Sequence, residues 1–405
     1  MRVLQINAVY DVGSTGVITR DIHELCLKKG IDSYVAYSTS PRHRKDIANG
    51  YKIGTMFGKK LHALLCRVNG QQAYFSRIAT RNLIRYIRKI KPDVVHLHNL
   101  HSNYLHLNML LSFLEKEDVS TVITLHDCWF YTGGCFHYTN AGCDKWLKEC
   151  GICPKKKQDT PAYLFDRSKK ILADRKKYLC NIKKLTVVGV SQWITNEARR
   201  TFLEQKNCVT VYNGIDMDFY RPMASELRAQ LGLSDKFVVL GMANKWLQPV
   251  NKEALNVVAK ALGDDCVIVL VGCNDRHRAS LPQNVLAMDY IRDRDLMRKV
   301  YSMADVFVNC TREDSLSLVN VEAQACGTPI ITYRNTGAKE TVDEQSGFTV
   351  ETGNVRELVE KIRYVKGVGK SYLTEQCRQY VKNKFERDQN YNQIIDLYKK
   401  LYDKI

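Results

Sequence analysis

Ten short apolar runs, spaced by longer helical patterns, constrain this chain of 405 residues more than any other feature of it. The first five are RVLQIN (2–7), SYVAYS (33–38), VVHLHN (94–99), TVITLHD (121–127) and LTVVGVS (185–191). The second five are FVVLGMAN (237–244), CVIVLVG (266–272), VLAMDY (285–290), DVFVNC (305–310) and PIITYR (329–334). Near-continuous apolar runs, as opposed to alternating ones, belong to strands buried on both faces. Helical stretches such as 21–29 and 80–90 lie between them. Strands alternating with helices predict parallel sheets covered on both sides, and two series predict two doubly wound α/β domains. The chain is also too long for a single core. The boundary is expected near CVTVYNGIDMDFYRP (208–222), where a strand ends in Asn213-Gly214 and Pro222 follows. That gives an N-terminal domain over 1–205 with a Cys-rich insert at 128–153, a second domain over 206–380, and a terminal helix over 381–405.

Composition narrows the function classes. A hydrophobic fraction of 45% with 26% charged residues excludes a disordered or fibrous chain. No uncharged apolar stretch is long enough to predict a membrane span. The opening MRVLQINAVY reads as a strand and not as a signal peptide, so a cytosolic protein is expected. The net charge of +18 is lopsided: residues 1–205 carry 33 Lys and Arg against 17 Asp and Glu, and the remainder carries 28 against 26. Ten basic residues and no acidic one lie between Lys52 and Lys91. Such a field attracts nucleic acid, an anionic membrane face or phosphorylated substrates, or is a solvated helix face. The run has Tyr74, Phe75 and Tyr86 but no regular interleaving of aromatics, so nucleic acid is not expected as a partner.

Ligands of doubly wound sheets bind beyond the carboxyl ends of the strands, so the chemistry is sought in the loops that follow them. Gly13-Ser14-Thr15-Gly16 follows the first strand, and either a tight turn or close backbone approach to an anion explains its glycines. His96, His98 and His101 cluster at the end of the third run, as structural histidines or metal ligands. At Thr124-Leu125-His126-Asp127, His126 is placed to donate a hydrogen bond to a substrate, with Asp127 fixing its tautomer. Cys135, Cys143, Cys150 and Cys153 end in a Cys-x2-Cys knuckle that suits a structural zinc. Four reduced thiols and a regulatory disulfide are the alternatives, the first favoured over the second by a cytosolic setting.

The last constellation follows DVFVNC. Thr311 to Pro329 reads as a loop and then a helix over about 317–326, closed by Gly327 and Pro329. The free N–H groups at its start suit a diphosphate. Glu322 sits where a carboxylate accepts hydrogen bonds from two vicinal hydroxyls, and Asp314 lies in the loop before it.

This block resembles the retaining, nucleotide-sugar-dependent glycosyltransferases of family 4, which have the GT-B fold. Their hallmark is two acids eight residues apart followed by A-x-A-x-G-x-P, matched here by Asp314, Glu322 and the residues through Pro329. Glu313 is nine residues from Glu322 and competes for the first role. G-S-T-G after the first strand, H-L-H-N-L-H, L-H-D-C-W with its cysteines, and ITYRNTGAKETVDEQSGFTVE resemble an exopolysaccharide subgroup of the colanic-acid type. The resemblance implies two Rossmann-like domains facing across a cleft, with the C-terminal helix crossing back to the first. By position it implies Glu322 on the ribose and Asp314 or Glu313 by the donor sugar. It further implies Ser315, Leu316, Ser317 and Leu318 on sugar and phosphate, Gly13 and Gly16 at the donor, Lys245 on the diphosphate, and His126 at the transferring sugar.

The implied activity is retaining transfer from a nucleotide-sugar to a glycan or lipid-linked acceptor in surface polysaccharide synthesis. It needs no catalytic cofactor, and the expected place is the inner face of the cell membrane, held peripherally by the basic N-terminal domain. Two departures stand out. The family's second phosphate lysine is replaced by Val250, followed by Asn251, with Lys252 near enough to substitute; the residue after G-S-T-G is Val17 where the subgroup has Arg. Both remove positive charge, which raises an alternative: a weakened nucleotide-sugar-binding partner of another transferase.

Overall fold

The computed structural model describes residues 1–41, 46–159 and 161–403. The chain divides into two compact units, Met1–Asn213 with Asp388–Ile405, and Gly214–Arg387.

The first unit is built on a seven-stranded parallel sheet. Its strands are β1 (Arg2–Val9), β2 (Asp32–Thr39), β3 (Gly50–Lys52), β4 (Val94–Leu97), β5 (Ser120–Leu125), β6 (Leu185–Gly189) and β7 (Asn207–Thr210). Their order is β3-β2-β1-β4-β5-β6-β7, and every pairing is parallel. The second unit's strands are β8 (Phe237–Met242), β9 (Cys266–Val271), β10 (Val285–Met288), β11 (Val306–Asn309), β12 (Ile330–Tyr333) and β13 (Gly347–Val350). They form a parallel sheet in the order β10-β9-β8-β11-β12-β13. In both sheets the order reverses beside the first strand of the unit, β1 or β8, which is the switch point where such folds open a crevice at the strand ends. The central strands β4, β5, β6, β11 and β12 are buried along their whole length, as their unbroken apolar runs require.

Three helices of the first unit matter below: α1 (Gly13–Lys28), α2 (Met56–Asn69) and α3 (Arg77–Ile90). No helix among the described residues is long and apolar enough to cross a membrane.

The units part at Asn213-Gly214, inside the segment 208–222, and β7, which hydrogen-bonds to β6, brings residues 206–213 into the first unit. The terminal helical stretch is two helices, Lys370–Phe385 and Arg387–Tyr402, parted at Glu386, whose backbone is extended. There Ile215 N–H donates to the Phe385 carbonyl (2.9 Å) and Arg387 N–H to that of Ile215 (3.0 Å). A Cβ on Gly214 would lie 2.4 Å from the Arg387 Cα, so the two strands of chain that leave the second unit pass in contact, and only glycine fits.

Candidate functional site

The loop after β11 is organised by its own polar side chains. Asn309, at the strand end, donates to Asn320 Oδ1 (2.8 Å) and accepts from Thr311 N–H (3.2 Å), tying the loop to the helix Leu318–Ala325. Asp314 folds back on that turn, accepting from Leu316 N–H (3.3 Å) and the Ser317 hydroxyl (2.7 Å). Its own N–H donates to Thr336 Oγ1 (3.1 Å) and its carbonyl accepts from Gly337 N–H (2.9 Å). Glu313 precedes it, with its carbonyl accepting from the Thr311 hydroxyl (3.1 Å). Ser315 is buried just before the helix, and its hydroxyl has no partner among the described residues. Leu316 and Ser317 are buried beside it, and Leu318 opens the helix. A buried, unpartnered hydroxyl is costly, and a ligand oxygen at the helix N-terminus would satisfy it together with the free N–H groups.

Glu322 stands one turn further along. Each of its carboxylate oxygens accepts a tyrosine hydroxyl, Tyr220 on Oε1 and Tyr301 on Oε2, both at 2.9 Å. Burial pushes its pKa up, and the two tyrosines and nearby Arg294 work against that rise. The pair fixes the carboxylate plane and leaves each oxygen a further lone pair. Neither tyrosine was assigned a role from the sequence, although Tyr220 lies in the DFYRP segment and Tyr301 on the helix before β11.

Lys245 lies in the short helix Ala243–Trp246 directly after β8. Trp246 anchors that turn: it is fully buried and its indole N–H donates to the Val308 carbonyl (3.1 Å). Buried Asn251 then links the turn to the β11 loop, donating to the carbonyls of Lys245 (2.9 Å) and Cys310 (2.8 Å). Its Oδ1 accepts from Arg312 Nε (3.1 Å), and Arg312 Nη2 reaches the Val250 carbonyl (3.4 Å). The guanidinium also lies 5.8 Å from the centre of the Tyr333 ring. A cation is thus held against the backbone of Val250, where the sequence has no lysine. Lys252, expected to substitute, is exposed on the helix Pro249–Leu262. The signal for Arg312 was its place two residues before Asp314.

In the first unit the strand-end histidines form a directed chain. Gln5 Nε2 donates to the Thr19 carbonyl (3.3 Å), so its Oε1 accepts from His98 Nε2 (3.1 Å). Burial pushes His98 well below its usual pKa, so the ring is neutral and its Nδ1 is an acceptor. His126 Nε2, 3.1 Å away, therefore donates to it, which leaves His126 Nδ1 as a lone pair. Burial likewise brings His126 down to about 4 and His96 to about 3. His96 is closed off by Tyr398 and by Thr124 Oγ1 (2.7 Å).

Two expectations change. Asp127 does not orient His126: it accepts from His101 Nε2 (3.1 Å) and from Trp129 N–H (2.8 Å). Burial would raise the Asp127 pKa, but those bonds outweigh it and the carboxylate lies below its ordinary range. And neutral His126, with Nε2–H committed to His98, offers an acceptor at Nδ1 where a donor was expected. Gly13 and Gly16 have backbone reasons of their own: Gly13 has φ +61°, and a Cβ on Gly16 would come within 3.1 Å of the Asp11 nitrogen.

Histidines held neutral by burial make a stability prediction with a definite sign. Their pKa values are depressed in the fold, so their stabilisation is present above the unfolded value of about 6.5 and is lost as pH falls towards the folded values. His96, His98 and His126, with His62 also at about 4, are expected to lower the melting temperature progressively between about pH 6.5 and pH 4. Thermal unfolding across that range tests this, and a flat profile would refute it.

Burial raises the pKa of the Cys135 thiol to about 12 and of Cys150 to about 11, and that of Cys153 as well. These three and Cys143 stand as free cysteines. Among the described residues no group of three or more His, Cys, Asp or Glu is placed to hold a metal ion. Buried Arg175 braces the segment, donating to the carbonyls of Trp129 and Thr132 and lying 3.8 Å from the centre of the Trp129 ring.

Two family models cover most of this architecture. Residues 16–219, just over half the chain, match Glycosyltransferase Family 4, and residues 234–365 match Glycosyl transferases group 1. The chain belongs to glycosyltransferase family 4. A relative in Escherichia coli (strain K12), the putative colanic acid biosynthesis glycosyl transferase WcaC, is 26% identical over 375 residues, covering 89% of this chain and 90% of the relative. Among solved structures, sucrose-phosphate synthase from Thermosynechococcus elongatus superposes with TM-score 0.70 at 16% identity over 100% of both chains. Anabaena Alr3699/HepE, in complex with UDP and glucose, superposes with TM-score 0.66 at 15% identity over 98% of this chain and 99% of that one. The fold of this family 4 member is accordingly GT-B, with two Rossmann-like domains.

Proposed function

We propose that this family 4 protein transfers a sugar from a nucleotide-sugar to a growing, lipid-linked bacterial surface polysaccharide, with retention at the anomeric carbon. The observation that carries the reading is Glu322, held by two tyrosine hydroxyls eight residues after Asp314, beside a helix N-terminus and the buried Ser315 hydroxyl. That set suits a ribose, a diphosphate and a sugar. The WcaC relative supports the polysaccharide setting, and the UDP and glucose of the Anabaena protein support the donor class.

In this reading Glu322 accepts from the ribose hydroxyls, and Asp314, with Glu313 beside it, meets the donor sugar. Ser315 to Leu318 and the cations Lys245 and Arg312 take the diphosphate, and His126 Nδ1 accepts from a sugar hydroxyl. The bond from the anomeric carbon to the phosphate oxygen breaks as the bond to the acceptor oxygen forms on the same face. The acceptor's proton passes to the departing diphosphate, so no protein nucleophile and no catalytic cofactor is required. Fixed cations and N–H groups stabilise the charge that develops on the leaving group.

Incubation with a panel of UDP-, GDP- and ADP-sugars, with and without a lipid-linked acceptor, tests the reading. Acceptor-dependent consumption of one donor is expected. Binding of a donor without turnover would favour the alternative of a nucleotide-sugar-binding partner, for which Val250 and Val17 argue. Arg312 argues against it, because it restores a cation where Val250 removes one.

A further inference from the structure

One helix of the first unit, α2, turns its large apolar side chains outward. α2 begins at Thr55, whose side chain caps Gly58 N–H (3.2 Å), and ends at Gly70 in the left-handed region. On its inward face the buried residues are His62 and Cys66, with His62 Nδ1 on Ser76 Oγ at 2.7 Å. Its outward face is apolar. Phe57, Leu61, Leu64, Leu65 and Val68 follow the spacing of one helical stripe and are all exposed, Phe57 at 77% and Leu64 at 58%. The large apolar side chains of this helix thus point to solvent.

The stripe continues onto a neighbouring loop. Tyr163 N–H donates to the Arg67 carbonyl (2.8 Å), and a Cβ on Gly70 would lie 2.2 Å from the Phe165 carbonyl oxygen. The backbone of 162–165 is therefore seated against the end of α2. The side chains of Tyr163, Leu164 and Phe165 are exposed there, with the Arg167 guanidinium 5.1 Å over the Phe165 ring.

Exposed cations lie on α2 and on the helix that follows it. Lys60 and Arg67 are exposed on α2 itself. On α3, Arg77, Arg81, Arg85 and Lys89 are exposed at four-residue spacing, with Ile78 74% exposed beside them. Between Lys52 and Lys91 the sequence offers no carboxylate to neutralise them. Arg88 is the exception, paired with Glu117 at 3.1 Å.

From this we infer that the outer face of α2, with Tyr163–Leu164–Phe165 and the arginine row of α3, docks on an anionic lipid bilayer. Apolar side chains enter the interface while the cations meet headgroup charge. Charge complementarity selects this occupant. A second copy of the chain would bring like-charged arginine rows together, and nucleic acid has no use for a leucine stripe. The inference is independent of the sugar-transfer reading, because vesicle binding needs no donor.

The test is flotation of the full-length protein with phosphatidylcholine vesicles containing about a third phosphatidylglycerol, against pure phosphatidylcholine. Binding to the anionic vesicles is expected to exceed binding to neutral ones at least about tenfold and to fall with salt. The triple change Arg77→Glu, Arg81→Glu, Arg85→Glu is expected to reduce it by at least about tenfold. Leu61→Ser with Leu64→Ser is expected to reduce it similarly while the salt dependence persists. These side chains are exposed, so circular dichroism and melting temperature should match the parent. Equal binding to both vesicle types, or binding indifferent to either set of changes, overturns the inference. So does concentration-dependent dimerisation that Leu61→Ser with Leu64→Ser abolishes while vesicle binding persists, or retardation of nucleic acid without vesicle binding.

Discussion

Glu322→Ala is expected to weaken nucleotide-sugar binding by at least tenfold. A charge-assisted hydrogen bond contributes about 1.5–3 kcal/mol, and about 1.4 kcal/mol is a factor of ten in affinity. The variant also strands the hydroxyls of Tyr220 and Tyr301, both buried, so the fold itself loses about 1–3 kcal/mol. A fall in stability alone therefore decides nothing, and calorimetric titration with the nucleotide is the measurement that does. Tyr220→Phe supplies the control. It removes one of the two hydrogen bonds that hold the carboxylate but leaves the charge, and is expected to cost several-fold less affinity than Glu322→Ala. Glu322→Gln keeps size and one acceptor and is expected to fall between them. If Glu322→Ala melts earlier yet binds nucleotide as the parent does, Glu322 only braces the helix and its two tyrosines. Asp314→Ala is expected to behave differently, losing transfer more than nucleotide affinity, since the partner assigned to it is the sugar.

The parts of the molecule legible from sequence were those written in contiguous residues. The central strands could be read because a strand buried on both faces must be apolar throughout. The edge strands β3 and β13 could not, because Gly50–Lys52 and Gly347–Val350 pair on one side only and need little apolar character. The spacing of Asp314 and Glu322 was visible, and so was the helix between Ser317 and Cys326. What holds Glu322 was not, because Tyr220 is 102 residues away and reaches it only through the tertiary fold. The histidines show the same limit in a more instructive form. Asp127 follows His126 in sequence, which suggested that they act together, yet adjacent residues at a strand end point to different sides. The pairing of β4 with β5 matches Val94 to Ser120, and the same offset of 26 residues sets His101 against Asp127. That register, known only once the two strands are paired, decides which histidine the carboxylate serves, and hence that His126 offers a lone pair.

Arg312→Ala is expected to reduce transfer about a hundredfold, the scale seen when one fixed group that stabilises developing charge is removed. Its guanidinium is held at three places, by Asn251 Oδ1, the Val250 carbonyl and the Tyr333 ring, so it costs little reorganisation when charge develops on the leaving diphosphate. Lysine at this position keeps the charge but lacks the planar fork that bonds Asn251 and Val250 together, so Arg312→Lys is expected to recover only part of the loss. The sequence alone pointed to Lys252 as the replacement for the cation missing at Val250, and the two assignments separate cleanly. Lys252 is exposed and its removal is expected to change transfer less than about twofold, as for a surface residue away from the reaction. Steady-state kinetics of Arg312→Ala, Arg312→Lys and Lys252→Ala with the correct donor make the comparison. If Lys252→Ala is as damaging as Arg312→Ala, the exposed lysine swings in to the diphosphate and Arg312 is only a brace for the loop. If neither matters, the chain has given up its second phosphate cation altogether, and the charge removed at Val250 is evidence for a protein that binds nucleotide-sugars better than it uses them.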